Sequence, residues 1–254
     1  MGRTIVITGS ASGIGRATAE LCHRAGDKVI GVDVRDADIE ADLGGAAGRA
    51  RMIEEVRRLA PEGVDGVVAA AGISHPDRPR ETIAINYFGA VATLEGLRPL
   101  LARSSRPRAV AICSTAGFLP GSDDVVAACL EQGEEAALAA ISAAPGTAYM
   151  DSKRALSLWL RSAAVRPEWA GAGILLNGVG PGVVETAMTK PLFDQPEMVE
   201  LIQQSNPIAV KGFAKADEIA ELIGFLLGFK NHYLLGQIIF IDGGSDAILR
   251  GTTF

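Results

Sequence analysis

The 254-residue chain carries 30 Asp and Glu against 24 Lys and Arg, a formal net charge of −6, and has no long basic run; this argues against a nucleic-acid surface. Hydrophobic residues make up 48% and there are 30 glycines, so the chain has material both for a sizeable core and for many tight turns. Three cysteines (Cys22, Cys113, Cys129) without metal-ligand spacing and three scattered histidines point to a reducing compartment and to no metal centre. The chain enters a strand-like run after one basic residue, and no apolar stretch reaches membrane-span length. The expectation is therefore a soluble, cytoplasmic protein.

Thr4-Ile5-Val6-Ile7 is a β-branched run ending at Thr8-Gly9 and reads as a buried strand. Gly9-Ser10-Ala11-Ser12-Gly13-Ile14-Gly15 follows, then a helical period over 14–25 closed by Gly26. Strand, glycine turn and helix in this order allow a pyrophosphate to approach free N–H groups at the helix start. The candidates there are Gly9, Ser12, Gly13, Ile14 and Gly15. The second strand, 28–32, ends on Asp33, 24 residues after Gly9. A carboxylate at that place can accept both hydroxyls of an adenine ribose and would repel a 2′-phosphate, which favours NAD over NADP. Arg35, two residues on, is a guanidinium able to pair with such a phosphate.

Residues 46–59 form an amphipathic helix, and 65–72 read as a third strand running into the small-residue turn Ala69-Ala70-Ala71-Gly72. Small residues there let the backbone lie close to a nucleotide, or let a helix pack closely. A long helix is expected from Glu81 to about 103, with Asn86 inside it. Asn has poor helix propensity, which suggests a side-chain or water-binding role. Residues 109–113 are a further strand, ending at Ser114. Strands alternating with helices predict a parallel sheet covered on both faces, as one domain over 1–254.

In Tyr149-Met150-Asp151-Ser152-Lys153 the tyrosine and lysine are one helical turn apart. An ammonium close to a phenol favours phenolate and lowers its pKa, which suits proton exchange with an alcohol or carbonyl oxygen. Residues 187–210 are apolar, punctuated by proline and without a clean period; they read as a substrate lid with a short helix near 196–205. A helix over 215–227 and a strand over 237–241 complete the chain.

Thr8-Gly9-x3-Gly13-Ile14-Gly15, Asn86, Ser114, Tyr149-x3-Lys153, Asn177-Gly178-Val179-Gly180-Pro181-Gly182, Thr186 and Ile241-Asp242-Gly243-Gly244 follow one another in this order. Together they resemble the short-chain dehydrogenase/reductase family across essentially the whole chain. The resemblance implies an α/β, Rossmann-type doubly wound parallel sheet with helices on both faces, a bound NAD(P), and hydride transfer at an alcohol or carbonyl carbon. It implies Tyr149 as general acid/base, Ser114 as donor to the substrate oxygen, Lys153 on the nicotinamide ribose, and Asn86 holding a water that links Lys153 to solvent. It further implies cofactor contacts at Asp42 and Leu43 beside the adenine, at Ala71 and Gly72, at Pro181, Gly182 and Val184, and at Thr186 on the carboxamide.

Two departures stand out. The turn Ala69-Ala70-Ala71-Gly72 lacks the asparagine usual in the family, so its hydrogen bond must be replaced. The interval from Ser114 to Tyr149 is 35 residues, against about a dozen in most members. The added segment, about 119–145, reads as two short acidic helices broken near Gly133. In the family the helices carrying Asn86 and Tyr149 commonly form a dimer face. The insertion is expected to cover that face and to shift assembly as a homodimer or homotetramer to the final strand and helix. With such an insertion the chain resembles the bacterial 3α-hydroxysteroid dehydrogenase/carbonyl reductase subgroup, which implies a hydrophobic alcohol or ketone as substrate. A small cyclic alcohol, a sugar, a 3-oxoacyl substrate, and a non-catalytic nucleotide sensor are the alternatives.

Overall fold

The computed structural model describes residues 2–193, 197 and 206–252. Strand β1 (Thr4–Thr8) turns into α1 (Gly13–Arg24); β2 (Lys28–Asp33) and a two-residue β3 (Ile39–Glu40) precede α2 (Ala46–Leu59). After β4 (Gly66–Ala69) come α3 (Pro79–Ile83) and α4 (Ala90–Leu101), joined end to end by a π-type turn, Ala84–Gly89. β5 (Arg108–Ile112) leads to α5 (Asp123–Ala127), α6 (Glu134–Ala143) and α7 (Ala148–Ala164). The chain continues through β6 (Leu175–Pro181), β7 (Val184–Glu185), α8 (Lys190–Phe193), β8 (Ala214–Lys215), α9 (Ala216–Gly228), β9 (Ile238–Ile241) and α10 (Ser245–Arg250).

Seven strands form one sheet in the order β3-β2-β1-β4-β5-β6-β9, and every pairing in it is parallel. The alternation of side chains along β1 divides the core. Ile5 and Ile7 join Cys22 of α1 and Ile219 and Ile223 of α9 on one face, while Val6 joins Met52 of α2, Leu94 of α4 and Leu160 of α7 on the other. Burying each of these large side chains contributes roughly 1.5–3 kcal/mol. The strand order reverses between β1 and β4, so the crevice beyond the carboxyl ends of those strands is where a doubly wound sheet takes a ligand.

The structure revises some element bounds. The third strand stops at Ala69 rather than running to 72, because the N–H groups of Ala70 and Ala71 both turn to the Thr8 hydroxyl oxygen, each at 3.1 Å. This pair of bonds stands where the family's asparagine was missed. The long helix starts at Pro79 and is offset at Asn86 by the π-type turn. Strands β3 and β6 were not singled out from the sequence as strands. Apart from residue 197, the lid helix expected near 196–205 lies outside the described residues. Among the described residues no helix is long and apolar enough to cross a membrane.

The insertion has the expected form. α5 runs on through a turn at Ala128–Gln132, Gly133 breaks the helix at φ 95°, and α6 follows. α5 packs on α7 and α6 packs on α3. Arg154 of α7 pairs with Asp123 at 2.7 Å, and Arg80 of α3 donates to the Leu138 carbonyl at 2.6 Å.

Candidate active site

The glycine turn after β1 is shaped by close approach. Gly9 has φ +72°, and a Cβ there would sit 2.9 Å from the Ala71 backbone; a Cβ at Gly15 would sit 2.1 Å from the Gly9 carbonyl oxygen. Only hydrogen fits at either position. Ser12 occupies the N-cap of α1 in extended conformation but makes no side-chain bond to its own helix, and the first-turn N–H groups around Gly13, Ile14 and Gly15 have no helical acceptor. Asp33, at the end of β2, accepts from the Ala11 N–H of this turn at 3.0 Å and from Val34 N–H at 2.7 Å. β3 brings Glu40 into register with Asp33, and Asp42 and Leu43 follow in the turn after it. Asp42 accepts from Gly44 N–H at 2.8 Å, and Leu43 is buried. Thr186 closes the opposite side: a Cβ on Gly13 would lie 3.6 Å from its methyl group.

Three further segments converge on the carboxyl ends of β5 and β6. Ser114 starts a short 3₁₀ turn by accepting from Ala116 N–H at 3.1 Å, and its hydroxyl lies 3.4 Å from the Pro181 carbonyl. It lies near enough to the Tyr149 phenol to favour its ionised form. Lys153 lies one turn along α7 with its Nζ 5.8 Å from the centre of the Tyr149 ring, and it donates to the Ile112 carbonyl at 2.7 Å. Burial pushes the Lys153 ammonium down to about 8. Burial pushes the Tyr149 phenol up, and the Ser114 hydroxyl works against that shift. The phenol therefore stands on the opposite side of its usual value from the lowered one expected of a nearby ammonium, because burial away from water disfavours the phenolate.

Asn86 is fully buried. Its Oδ1 accepts from Ile73 N–H at 2.8 Å, and its Nδ2 donates to the Ile73 carbonyl at 2.9 Å and to Ser152 Oγ at 3.1 Å. It thus holds the turn after Gly72 and reaches Tyr149 only through Ser152, whose hydroxyl donates to the Tyr149 carbonyl at 2.8 Å. Val184 does not present its side chain to the crevice: it is buried with Ile219 and Ile223, and its carbonyl accepts from Thr189 Oγ1 at 2.5 Å. Thr189 also accepts from Thr186 N–H at 2.9 Å, so this short loop is held through its backbone. Gly182 donates to the Ile241 carbonyl at 3.1 Å, and a Cβ there would lie 2.9 Å from Asp242.

Sequence reasoning gave no role to Thr8, Ser152, Asp151 or Thr189. Thr8 carried a signal, a hydroxyl closing an apolar strand. Asp151 carried a stronger one, a carboxylate inside the Tyr–Lys motif: it is fully buried, accepts from Ser122 N–H at 2.8 Å and from Thr147 Oγ1 at 2.5 Å, and burial raises its pKa. Among the described residues no group of His, Cys, Asp and Glu is arranged to hold a metal ion.

A parallel doubly wound sheet with a glycine cradle at its switch point and a Ser–Tyr–Lys cluster beside it defines a class of oxidoreductase. Residues 3–126 match the family model described as short chain dehydrogenase, and residues 135–246 match the one described as enoyl-(acyl carrier protein) reductase. The chain belongs to the short-chain dehydrogenase/reductase family. It is 37% identical to the 3-alpha-hydroxysteroid dehydrogenase/carbonyl reductase of Comamonas testosteroni, over 98% of this chain and 99% of that protein. The crystal structure of the 3-alpha-hydroxysteroid dehydrogenase from Pseudomonas sp. B-0831, complexed with NADH, is 38% identical, superposes with a TM-score of 0.92, and is covered over 100% of its chain by 99% of this one. A more distant relative, 27% identical over 97% of both chains, is the cis-4-hydroxycyclohexanecarboxylate dehydrogenase of Sinomonas cyclohexanicum.

Proposed function

We propose that the chain is a single-domain, cytoplasmic, NAD-dependent oxidoreductase that interconverts a secondary alcohol and a ketone, with a hydrophobic substrate such as a 3α-hydroxysteroid or another carbonyl compound. The observation that carries this reading is the convergence of Tyr149, Ser114 and Lys153 at the mouth of a cradle from which Cβ atoms are sterically excluded. The cradle fits a dinucleotide: Gly9 and Gly15 admit a pyrophosphate, Gly13 and Ile14 offer helix N–H groups, and Asp33 stands where ribose hydroxyls would be accepted. When bound, NAD supplies the hydride acceptor or donor.

The chain's own residues do the rest. Tyr149 takes the hydroxyl proton in oxidation and returns it in reduction. Ser114 donates to the substrate oxygen as charge develops there. Lys153, charged below about pH 8, holds ribose hydroxyls and stabilises the phenolate. Asn86 fixes the turn at Gly72 and the helix of Tyr149, and a water beside it completes the path to solvent. Asp42, Leu43, Ala71, Gly72, Pro181, Gly182 and Thr186 line the nucleotide. The Asp33 carboxylate favours NAD over NADP, consistent with the NADH held by the Pseudomonas relative.

A cavity of about 560 Å³ beside Thr186 is walled by Phe193 and Phe213, whose rings lie 4.8 Å apart. Aromatic walls beside Thr186 support an apolar substrate. The cyclohexane-carboxylate relative keeps a small cyclic alcohol as the second reading. A nucleotide sensor has no use for a phenol set beside a serine hydroxyl and a lysine ammonium. The insertion covers α3 and α7, so homo-oligomers form through β9 and α9 instead. NAD- and NADP-linked turnover over steroid, aryl-ketone and cyclic-alcohol substrates tests the reading; nucleotide binding without turnover on any of them sinks it in favour of the sensor.

A further inference from the structure

Arg49 of α2 is 8% exposed, and all three nitrogens of its guanidinium donate hydrogen bonds. Nε donates to the Leu43 carbonyl at 2.7 Å, and Nη2 donates to the carbonyls of Gly44 and Ala84 at 3.1 and 3.0 Å. The remaining edge forms a two-pronged pair with Glu134, Nη1 to Oε2 at 2.6 Å and Nη2 to Oε1 at 2.7 Å. This fork geometry is specific to arginine, and removing one partner leaves a buried charge poorly compensated. Leu43 and Gly44 belong to the turn after β3, the strand that pairs with Asp33. Ala84 opens the π-type turn that carries Asn86, and Glu134 opens α6 inside the insertion. One side chain therefore joins the adenine side of the crevice, the Asn86 turn and the insertion.

We propose that Arg49 and Glu134 are positioning residues for the nucleotide: through this pair the insertion holds the Asp42–Gly44 turn in its binding shape and so sets cofactor affinity. The proposal rests on the NAD reading for what fills the crevice. Apart from Arg49, the turn is held by the buried Leu43 side chain and by two short bonds of its own, Gly44 N–H to Asp42 Oδ1 and Gly45 N–H to the Asp42 carbonyl. A turn released from Arg49 would have to be ordered by the ligand at each binding event, and that cost appears as lost affinity. Arg49 keeps three carbonyl acceptors when Glu134 is changed, so the fold is retained while the anchor loosens.

The test titrates wild type, Glu134→Ala, Glu134→Gln and Arg49→Lys with NADH by fluorescence and with AMP by calorimetry, alongside thermal melts. Glu134→Ala is expected to bind both ligands roughly tenfold more weakly, equivalent to about 1.4 kcal/mol, with Glu134→Gln in between. KM for NAD should rise while kcat at saturation stays near wild type. Unchanged AMP and NADH affinity in a folded Glu134→Ala overturns the proposal, as does a lowered melting temperature with no change in affinity. Wild type that binds neither ligand overturns the NAD reading and the proposal together, whereas normal wild-type binding with unaffected variants overturns the proposal alone.

Discussion

Asn86 and Ser152 meet side chain to side chain at 3.1 Å, and neither is exposed. The contact ties the turn at Ile73, the π-type turn and α7 into one unit, because Asn86 also holds both backbone groups of Ile73 and Ser152 holds the Tyr149 carbonyl. Asn86→Ala strands buried donors and acceptors on two segments and is expected to cost about 2–4 kcal/mol. Ser152→Ala leaves Asn86 bonded to Ile73 and should cost only about 1 kcal/mol. Urea unfolding of the two variants checks this order; equal losses would contradict it.

Tyr149→Phe removes the hydroxyl proposed as acid/base while keeping the ring. Turnover should fall by about a thousandfold or more, with NADH affinity within about threefold of wild type. Stopped turnover and fluorescence titration on the same preparation separate the two quantities. Residual activity above about a tenth would move the proton transfer to another group.

The buried Lys153 gives stability a signed pH dependence. Its ammonium is lowered from 10.5 to about 8 in the folded chain, so between those values the unfolded chain binds more protons. Lys153's contribution to stability therefore rises with pH across that window, by as much as about 3 kcal/mol. Lys153→Met should abolish that rise, which unfolding midpoints at about pH 7.5 and about pH 10 would reveal. Parallel curves for the two proteins would refute the assignment.

Asp151 works in the opposite sense. Burial raises its carboxyl above the ordinary 3.8, partly offset by the bonds from Thr147 and Ser122. The folded chain then binds more protons above that value, and this group's contribution falls as pH rises towards the raised pKa. Asp151→Asn preserves an acceptor for Ser122 N–H and cannot ionise. It should gain stability relative to wild type between about pH 4 and about pH 7. Denaturant midpoints that differ by a constant amount at both would show that Asp151 does not titrate in the folded chain.

Asp33→Ser removes the carboxylate at the end of β2 while Arg35 remains. The NAD:NADP preference in kcat/KM should shift towards NADP by roughly tenfold to a hundredfold. A variant that loses both cofactors equally would mean that Asp33 serves chiefly to hold Ala11.

Much of this was legible because it rests on local chemistry. The glycines at 9 and 15 advertise close backbone approach, Asp33 follows from strand length, and the Tyr149–Lys153 spacing is one helical turn. The insertion was visible as surplus chain with its break at Gly133. What the sequence hid depends on distant partners. Thr8 supports Ala70 and Ala71 from 62 and 63 residues away, and Arg49 meets Glu134 across 85 residues. The direction of the Tyr149 shift was also misread, because adjacency to a lysine is written in the sequence and desolvation is not. Val184 is expected at the cofactor from the family resemblance alone, and nothing in the sequence tells that its side chain packs with Ile219 and Ile223.

The π-type turn at Ala84–Gly89 has a geometric effect on the whole rod. One residue added to a helix rotates everything beyond it by about 100°. α3, before the turn, faces α6 and α7, whereas α4, after it, faces α2 and the sheet strands β4 and β5. A single uninterrupted helix would keep one azimuth along its length and could satisfy only one of these surroundings. The wide turn acts as a phase shifter, and the residue at the change of phase is Asn86.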